Sequence, residues 1–76
     1  MDLSKLRKAK KITQSELSKE LYISQPLLSF WEKGLREPSI EILPKLASIL
    51  HISIEELVYA IIETKQTNLH KSEVQS

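Results

Sequence analysis

The residues best suited to contact a partner lie on the second of two short helices predicted between Thr13 and Gly34. With Leu28 as the inward direction and about 100° of rotation per residue, the outward positions are Pro26, Ser29, Phe30 and Lys33, flanked by Gln25 and Leu27. This face is short of charge, and exposed apolar side chains usually mark a binding surface. The pattern therefore predicts that a partner docks on this helix.

The chain lacks the residue sets that catalysis requires. It has no paired carboxylates, Ser–His–acid set or Gly-rich phosphate loop, and its 76 residues leave little room for a catalytic pocket. It contains no cysteine, and His51 and His70 alone make no metal site at any usual spacing. We therefore expect no enzyme activity, no catalytic residue, no metal site and no cofactor.

Start and stop signals delimit the two helices: a capping box at Thr13 and Glu16, a corner at Tyr22 and Ile23, an N-cap candidate at Ser24, and a stop at Gly34. Leu17 and Leu21, four residues apart, give the first helix one buried edge. The sequence therefore predicts a helix, a three-residue corner and a second helix.

Four segments resemble the Cro and phage-repressor type of helix-turn-helix domain, the XRE family: ITQSELSKEL, ISQPLLSFWEKG, REPS and LPKLASIL-IS-EEL. The resemblance runs from Leu3 to Val58. It implies an all-α, compact, five-helix lambda-repressor-like domain, with helix 2 over Gln14–Leu21 and helix 3 over Gln25–Lys33. Helix 3 is the recognition helix, which enters the major groove of DNA in this family.

Four positions depart from the family pattern. Tyr22, Lys11 and His51 stand where relatives often have glycine, and Ser18 stands where they have a small alanine. Where these sites need a positive φ, each residue other than glycine costs about 1–2 kcal/mol. The departures leave the fold prediction in place and lower the expected stability.

The resemblance also implies roles for the side chains of helix 3. The base-reading candidates are Gln25, Pro26, Leu27, Ser29 and Phe30. Gln25 is expected to contact adenine through its amide, and Leu27 and Phe30 to pack on thymine methyl groups. Gln14 braces Gln25 and lies at a helix start that suits a phosphate, although an ordinary solvated residue is the plainer interpretation.

Basic side chains concentrate in the half of the chain that holds the two helices. Residues 1–36 carry eight Lys and Arg against four acids, a net +4, whereas residues 37–76 carry three against six, a net −3. The phosphate-contacting candidates are Gln14, Ser24, Lys33 and Arg36. A phosphate backbone is a fitting partner for such a surface, but a charge run alone is often only a solvated face.

Arg7 and Glu32 are expected to form a structural ion pair. Helix geometry places Glu32 near the buried boundary of helix 3, where an acid needs a partner. The family pattern has an arginine and an acid at these two positions, which pair in relatives. A phosphate contact by Arg7 is the alternative.

The other helices are predicted at Asp2–Lys10, from Leu43 or Pro44 to Leu50, and from Ile54 onward. The last helix has an apolar stripe, Ile54, Leu57, Val58 and Ile61, which Tyr59 and Ile62 widen. The family resemblance implies a homodimer through Val58, Tyr59, Ile61 and Ile62, matched to a palindromic operator. A broader packing face within one subunit is the alternative.

The predicted domain organisation is a helix-turn-helix domain over residues 1–63 and a flexible polar tail over residues 64–76. No apolar run spans a bilayer and no signal peptide is present. We expect a cytoplasmic protein encoded by a prokaryote, phage or plasmid, with no membrane partner. With no sensing module in the sequence, either the regulator acts through its own concentration or a separate regulatory protein is its partner. The sequence is also compatible with a fragment of a longer chain.

The expected function is that of a small dimeric repressor, a sequence-specific regulator that binds double-stranded DNA. The alternative is a protein-interaction module that uses Leu27 and Phe30, with weak DNA binding. DNA affinity that falls steeply with salt separates the first function from the second.

Overall fold

The computed structural model describes the backbone of residues 1–75 and the side chains of residues 1–66. In this part of the chain the regular elements are α1 (Leu3–Ala9), α2 (Gln14–Leu21), α3 (Gln25–Glu32), a 3-10 turn (Ile40–Ile42), α4 (Leu43–Leu50) and α5 (Ile54–Gln75), with no strand. The predicted all-α, five-helix fold is confirmed. The first helix is one residue shorter at each end than predicted, and α3 ends one residue earlier.

Side-chain caps fix where the helices begin. The predicted capping box of α2 is complete, since Thr13 Oγ1 accepts from Glu16 N and Thr13 N donates to Glu16 Oε1, both at 3.0 Å. Ser24 Oγ accepts from Leu27 N at 3.2 Å at the start of α3. Ser53 caps α5 in the same way. Caps of this kind contribute about 1 kcal/mol each, so neighbouring side chains define where α2 and α3 begin.

Three connections pass through left-handed residues that are not glycine. Lys11, Tyr22 and His51 have φ values of 60°, 56° and 56°, as expected where relatives have glycine. Gly34 takes the same conformation after α3, with a φ of 76°. The three side chains therefore each cost about 1–2 kcal/mol of strain.

One apolar cluster joins all five helices. Its buried members are Leu3, Leu17, Leu21, Leu28, Trp31, Leu46, Ala47, Leu50 and Leu57. Leu28 and Trp31 belong to α3, and burying a side chain of this size contributes about 1.5–3 kcal/mol. These two anchors hold one side of α3 on the body of the protein and leave its other side to solvent.

Helix α5 packs on the core through a face that shares only Leu57 and Ile61 with the predicted stripe. The inward residues, spaced by three or four, are Leu57, Ala60, Ile61 and Thr64. Ile54 and Val58, predicted to lie on this stripe, are exposed. The prediction was wrong here because it counted only large apolar residues, whereas the buried face includes a small alanine and a threonine whose hydroxyl is hydrogen-bonded.

Thr64, the first residue of the predicted tail, is buried in the folded body. Its Oγ1 accepts from Leu3 N at 3.0 Å and donates to Ala60 O at 2.8 Å, so it ties α5 to the start of α1. The helical backbone continues to Gln75, which places the proposed boundary between residues 63 and 64 inside α5. For the side chains of residues 67–75 and for Ser76, the prediction of a flexible tail lies outside the described residues.

Candidate nucleic-acid interface

The corner between α2 and α3 holds the two helices at a fixed angle. Tyr22 turns the chain in the left-handed region, and Ile23 N donates to Ser18 O at 3.0 Å, closing the end of α2. Ser18 is buried, and its hydroxyl donates to Ser15 O at 3.0 Å. Because this buried hydroxyl has a partner, serine replaces the family's alanine without leaving a polar group unsatisfied.

The solvent side of α3 carries amide, hydroxyl and apolar groups. Exposed are Gln25, Pro26 and Phe30, whereas Leu27 and Ser29 are half-buried. Phe30 is 40% exposed, while Leu27 packs partly against the core. The apolar surface is therefore smaller than predicted and is centred on Phe30 and Pro26.

The predicted ion pair between Arg7 and Glu32 is present beneath this face. Arg7 Nε and Nη2 donate to the two Glu32 carboxylate oxygens at 2.6 and 3.1 Å, and Nη1 donates to Ile12 O at 2.8 Å. The two side chains are only 9% and 6% exposed. Arg7 thus fixes α1 to α3, and the acid of α3 is turned away from solvent.

A second set of hydrogen bonds leads from this ion pair to the tip of α3. Gln14 Nε2 donates to Glu32 Oε1 at 3.0 Å, and Gln25 Nε2 donates to Gln14 Oε1 at 3.4 Å. The structure thus brings together Gln14 and Gln25, as predicted. The bond between Gln14 and Glu32 was not predicted, although an amide facing a buried carboxylate is a common pairing.

The candidate phosphate contacts bracket the base-reading candidates. Ser24 caps the first end of α3, and Lys33 and Arg36 are exposed at its other end. The backbone N–H groups of Leu35 and Arg36 donate to Phe30 O at 3.0 and 3.4 Å, which folds the following loop against α3. Eight helical residues span about 12 Å, so the two ends of α3 are separated by about that distance.

Two surface ion pairs that the sequence did not indicate connect distant segments to α5. Lys65 Nζ pairs with Glu37 in the loop after α3, and the amino group of Met1 pairs with Glu63 Oε2 at 2.9 Å. All four groups are half exposed, so each pair contributes about 0–1 kcal/mol. Their effect is to hold the loop and the first residue near α5.

The corner residue Tyr22 has a partner of its own. Tyr22 is 88% exposed, and Lys45 Nζ lies 4.5 Å from the centroid of its ring. This contact between the corner and α4 offsets part of the strain at Tyr22, since an exposed cation–π contact contributes about 0.5–1 kcal/mol. This contact was not predicted because the two residues are far apart in the chain.

At the start of α2, the carboxyl group of Glu16 has a lowered pKa. Hydrogen bonds from the Thr13 backbone and then its side chain hold the pKa of the Glu16 carboxyl below its ordinary value of 4.5. The ionised carboxylate is the form that accepts these bonds. The capping box is therefore strongest above the pKa of Glu16.

The outer surface of α5 is apolar at three of the four predicted dimer residues. Tyr59 is 65% exposed, Ile62 is 44% exposed, and Val58 is also exposed, whereas Ile61 is partly buried against the core of its own chain. A shallow crevice of about 280 Å³ beside Tyr59 is lined by Met1, Leu6, Glu56, Ala60 and Glu63. The structure thus leaves an apolar patch on α5 facing solvent.

The described residues contain neither a cluster of metal ligands nor a membrane-spanning helix. Among them no group of three or more His, Asp or Glu side chains is placed to hold a metal ion. In the same part of the chain, no helix has both the length and the apolar character needed to cross a membrane.

Comparison with known proteins gives a consistent family match. A helix-turn-helix family model matches residues 3–57. The chain is 36% identical over 56 residues to the HTH-type transcriptional activator BcrR of Enterococcus faecalis and 37% identical over 57 residues to the uncharacterized HTH-type transcriptional regulator YqaE of Bacillus subtilis. It is 38% identical over 63 residues to the uncharacterized HTH-type transcriptional regulator y4dJ of Sinorhizobium fredii.

The matches cover most of this chain but not all of each relative. They span 74% of the chain and 28% of BcrR, 75% and 49% for YqaE, and 83% and 82% for y4dJ. The chain therefore corresponds to half or less of the first two relatives. No solved structure is a significant match.

Proposed function

Because the chain belongs to the helix-turn-helix family, we propose that it is a transcriptional regulator that binds double-stranded DNA with α3 in the major groove, and not an enzyme. The observation that carries this proposal is the position of Gln25. It lies exposed at the start of α3 with its amide already oriented by Gln14. An oriented amide at the tip of a helix is suited to a base edge.

The face around Gln25 supports a contact with base pairs. A helix with its side chains is about 10–12 Å across, which suits the major groove. Gln25 offers an acceptor oxygen and a second Nε2 hydrogen to adenine. Pro26 and Phe30 offer apolar surface to thymine methyl groups, with half-buried Leu27 beside them, and Ser29 offers a hydroxyl.

Contacts to phosphates complete the proposed interface. Lys33 and Arg36 supply charge at one end of α3 and the Ser24 hydroxyl supplies a donor at the other. Gln14 has a second amide hydrogen for a phosphate oxygen, in addition to its bond to Glu32. Such contacts position a protein on DNA without reading its sequence.

A two-fold dimer through α5 is part of the proposal. The exposed patch of Val58, Tyr59 and Ile62 supports it, because two copies of one apolar patch can pair about a two-fold axis. Ile61 is partly buried, so only part of its side chain would contact the second copy. Two α3 helices about 34–36 Å apart would read the two halves of a palindromic operator.

Binding measurements with matched variants test the DNA-binding function. Duplexes are selected from a random pool, and dissociation constants are measured across a salt series. We expect Gln25→Ala to weaken binding to the selected duplex by about 1–3 kcal/mol and to reduce the sequence preference at one base pair. The salt slope, which is the slope of log affinity against log salt concentration, should not change. Lys33→Gln should weaken binding to all duplexes and lower the salt slope by about one.

The outcomes separate the candidate functions. If no duplex is enriched and binding does not depend on salt, the protein is not a sequence-specific DNA-binding regulator, and a protein-binding role for Phe30 and Leu27 takes its place. A reporter gene behind the selected site tests the direction of regulation. We propose repression, and increased expression on adding the protein would instead make it an activator, the term used in the name of BcrR.

A further inference from the structure

The hydrogen bonds around Glu32 connect a buried ion pair to the exposed tip of α3. Arg7 Nη2 and Gln14 Nε2 both donate to Glu32 Oε1, at 3.1 and 3.0 Å, and Gln25 Nε2 donates to Gln14 Oε1 at 3.4 Å. We name Arg7, Glu32, Gln14 and Gln25 the amide relay. The relay begins with two buried side chains and ends at an exposed one.

Glu32 dictates the order of donors and acceptors along the amide relay. A carboxylate only accepts hydrogen bonds, whereas an amide side chain has one donating and one accepting end. Gln14 must therefore turn its NH2 group toward Glu32 and its oxygen toward Gln25. Gln25 must then present its own NH2 group to Gln14. One buried charge sets the orientation of two amides in series.

Arg7 keeps the carboxylate from turning away. Its Nε donates to Glu32 Oε2 at 2.6 Å, so both carboxylate oxygens are held. A third Arg7 donor is bound to Ile12 O, which fixes the guanidinium in turn. The Glu32 carboxylate is therefore held by Arg7, and Arg7 is held by the backbone at Ile12.

We infer that Glu32 is a positioning residue for base recognition, acting through Gln14 on the amide of Gln25; the inference rests on the DNA-binding function proposed above. In the imposed orientation, Gln25 has one Nε2 hydrogen and its Oε1 left for a base. Adenine offers an acceptor at N7 and a donor at N6, which match this pair. Guanine offers acceptors at N7 and O6, so its O6 would face the Gln25 oxygen.

The variant Glu32→Gln removes the carboxylate without changing the size of the side chain. Arg7 donates to both carboxylate oxygens, whereas the new amide has an acceptor at only one of these two positions. Gln14 therefore no longer meets an acceptor in every orientation of that amide, and its NH2 group is no longer held inward. The order of donors and acceptors along the amide relay is then mixed, and the fit of Gln25 to adenine is weakened.

The measurement is the ratio of affinities for two duplexes that carry adenine or guanine at the base pair located with Gln25→Ala. For the unmodified protein we expect adenine to be favoured by roughly 5- to 150-fold. Glu32→Gln should lose most of this preference, while affinity for an unrelated duplex stays within about twofold. A fall in the folded fraction weakens binding to both duplexes equally and leaves the ratio unchanged.

A double-mutant cycle distinguishes action through Gln14 from a general structural effect. Gln14→Met removes the middle of the amide relay, so Glu32→Gln should have no further effect on the ratio in that background. Glu63→Gln, which removes an acid paired with the Met1 amino group, is the matched control and should leave the ratio unchanged. Arg7→Met combined with Glu32→Met removes both buried charges together with the acceptor for Gln14, and replaces Glu32→Gln if that variant unfolds.

Each outcome has one interpretation. Loss of the preference in Glu32→Gln, absent in the Gln14→Met background, supports the positioning role. An unchanged ratio in Glu32→Gln, or an equal loss with and without Gln14, overturns it while leaving the DNA-binding function intact. If the unmodified protein selects no sequence from a random pool, the proposed function itself fails, and the positioning role fails with it.

Discussion

Two side chains of α3 offer a base pair two different kinds of contact. The amide of Gln25 is held by a hydrogen bond to Gln14, whereas Phe30 is held by the helix itself and is 40% exposed. An amide reads donors and acceptors, and an apolar ring reads the methyl group of thymine. The proposed specificity therefore divides into a polar part and an apolar part that can be tested separately.

Replacing single thymines with uracil tests the contact by Phe30. Removing a methyl group that packs on the ring costs about 0.8 kcal/mol, so one substitution should weaken binding about fourfold. In Phe30→Ala the uracil and thymine duplexes should bind equally. The dissociation constants of a duplex series check this, and equal affinities of the unmodified protein for every uracil duplex would exclude a methyl contact.

For individual residues, the sequence predicted which side chains belong to the candidate interface better than it predicted the hydrogen bonds between them. Helix periodicity and the family pattern brought Arg7 together with Glu32 and Gln14 together with Gln25, and the structure has both contacts. The bond from Gln14 to Glu32 was missed because Glu32 lies at the boundary of α3. Which partner a boundary side chain meets depends on the packing angle of α2 and α3, and periodicity does not give that angle.

At the scale of elements, local signals define where helices begin and tertiary packing defines how they face. The capping box predicted the start of α2, and α5 begins at Ile54 as predicted, with Ser53 as its cap. The buried face of α5 was misjudged because Ala60 and Thr64 carry little hydrophobic signal. Their burial follows from close contact with α1, where Leu3 N bonds to Thr64.

The capping box of α2 should make stability depend on pH. Because folding lowers the pKa of Glu16 below 4.5, its contribution is fully present above about pH 5.5 and is lost as pH falls through the lowered pKa. Glu16→Gln keeps a side-chain acceptor for the Thr13 amide but does not titrate. Thermal melts from pH 6 to pH 3 should therefore fall less for Glu16→Gln than for the unmodified protein, and parallel curves would contradict the assignment.

Relief of backbone strain should stabilise the protein. His51→Gly removes a side chain from a residue with φ of 56°, and we expect a gain of about 1 kcal/mol, equivalent to about 4–8 °C in melting temperature. The control Ser48→Gly places glycine in the ordinary helix α4 and should cost about 0.5–1 kcal/mol. Calorimetry measures both, and a loss of stability in His51→Gly would show that its side chain makes a stabilising contact.

For the whole molecule, charge and apolar surface are divided between two regions. The first 36 residues carry a net +4 and include the α2–α3 unit, whereas the remainder carries a net −3. The apolar patch of Tyr59, Ile62 and Val58 lies on α5, in the acidic part of the chain. This separation supports a protein that meets DNA with one region and a second copy with the other.

The dimer is tested by placing charge on the α5 patch. Tyr59→Glu combined with Ile62→Glu should shift sedimentation from dimer to monomer and weaken binding to a palindromic duplex more than to a single half-site. Both residues are exposed, so the melting temperature of the monomer should change little. Ile40→Glu, at an 81% exposed residue in the 3-10 turn before α4, is the control. A monomer at high micromolar concentration for the unmodified protein, with DNA binding intact, would contradict the proposed dimer.

The central claim is that Gln25 on α3 reads a base edge in the major groove, and one nucleotide analogue tests it directly. 7-Deazaadenine lacks only the N7 acceptor, which faces the major groove. Placed at the base pair located with Gln25→Ala, it should weaken binding of the unmodified protein by about 1–3 kcal/mol and leave binding of Gln25→Ala unchanged. Equal affinity of the unmodified protein for the adenine and 7-deazaadenine duplexes would contradict the claim.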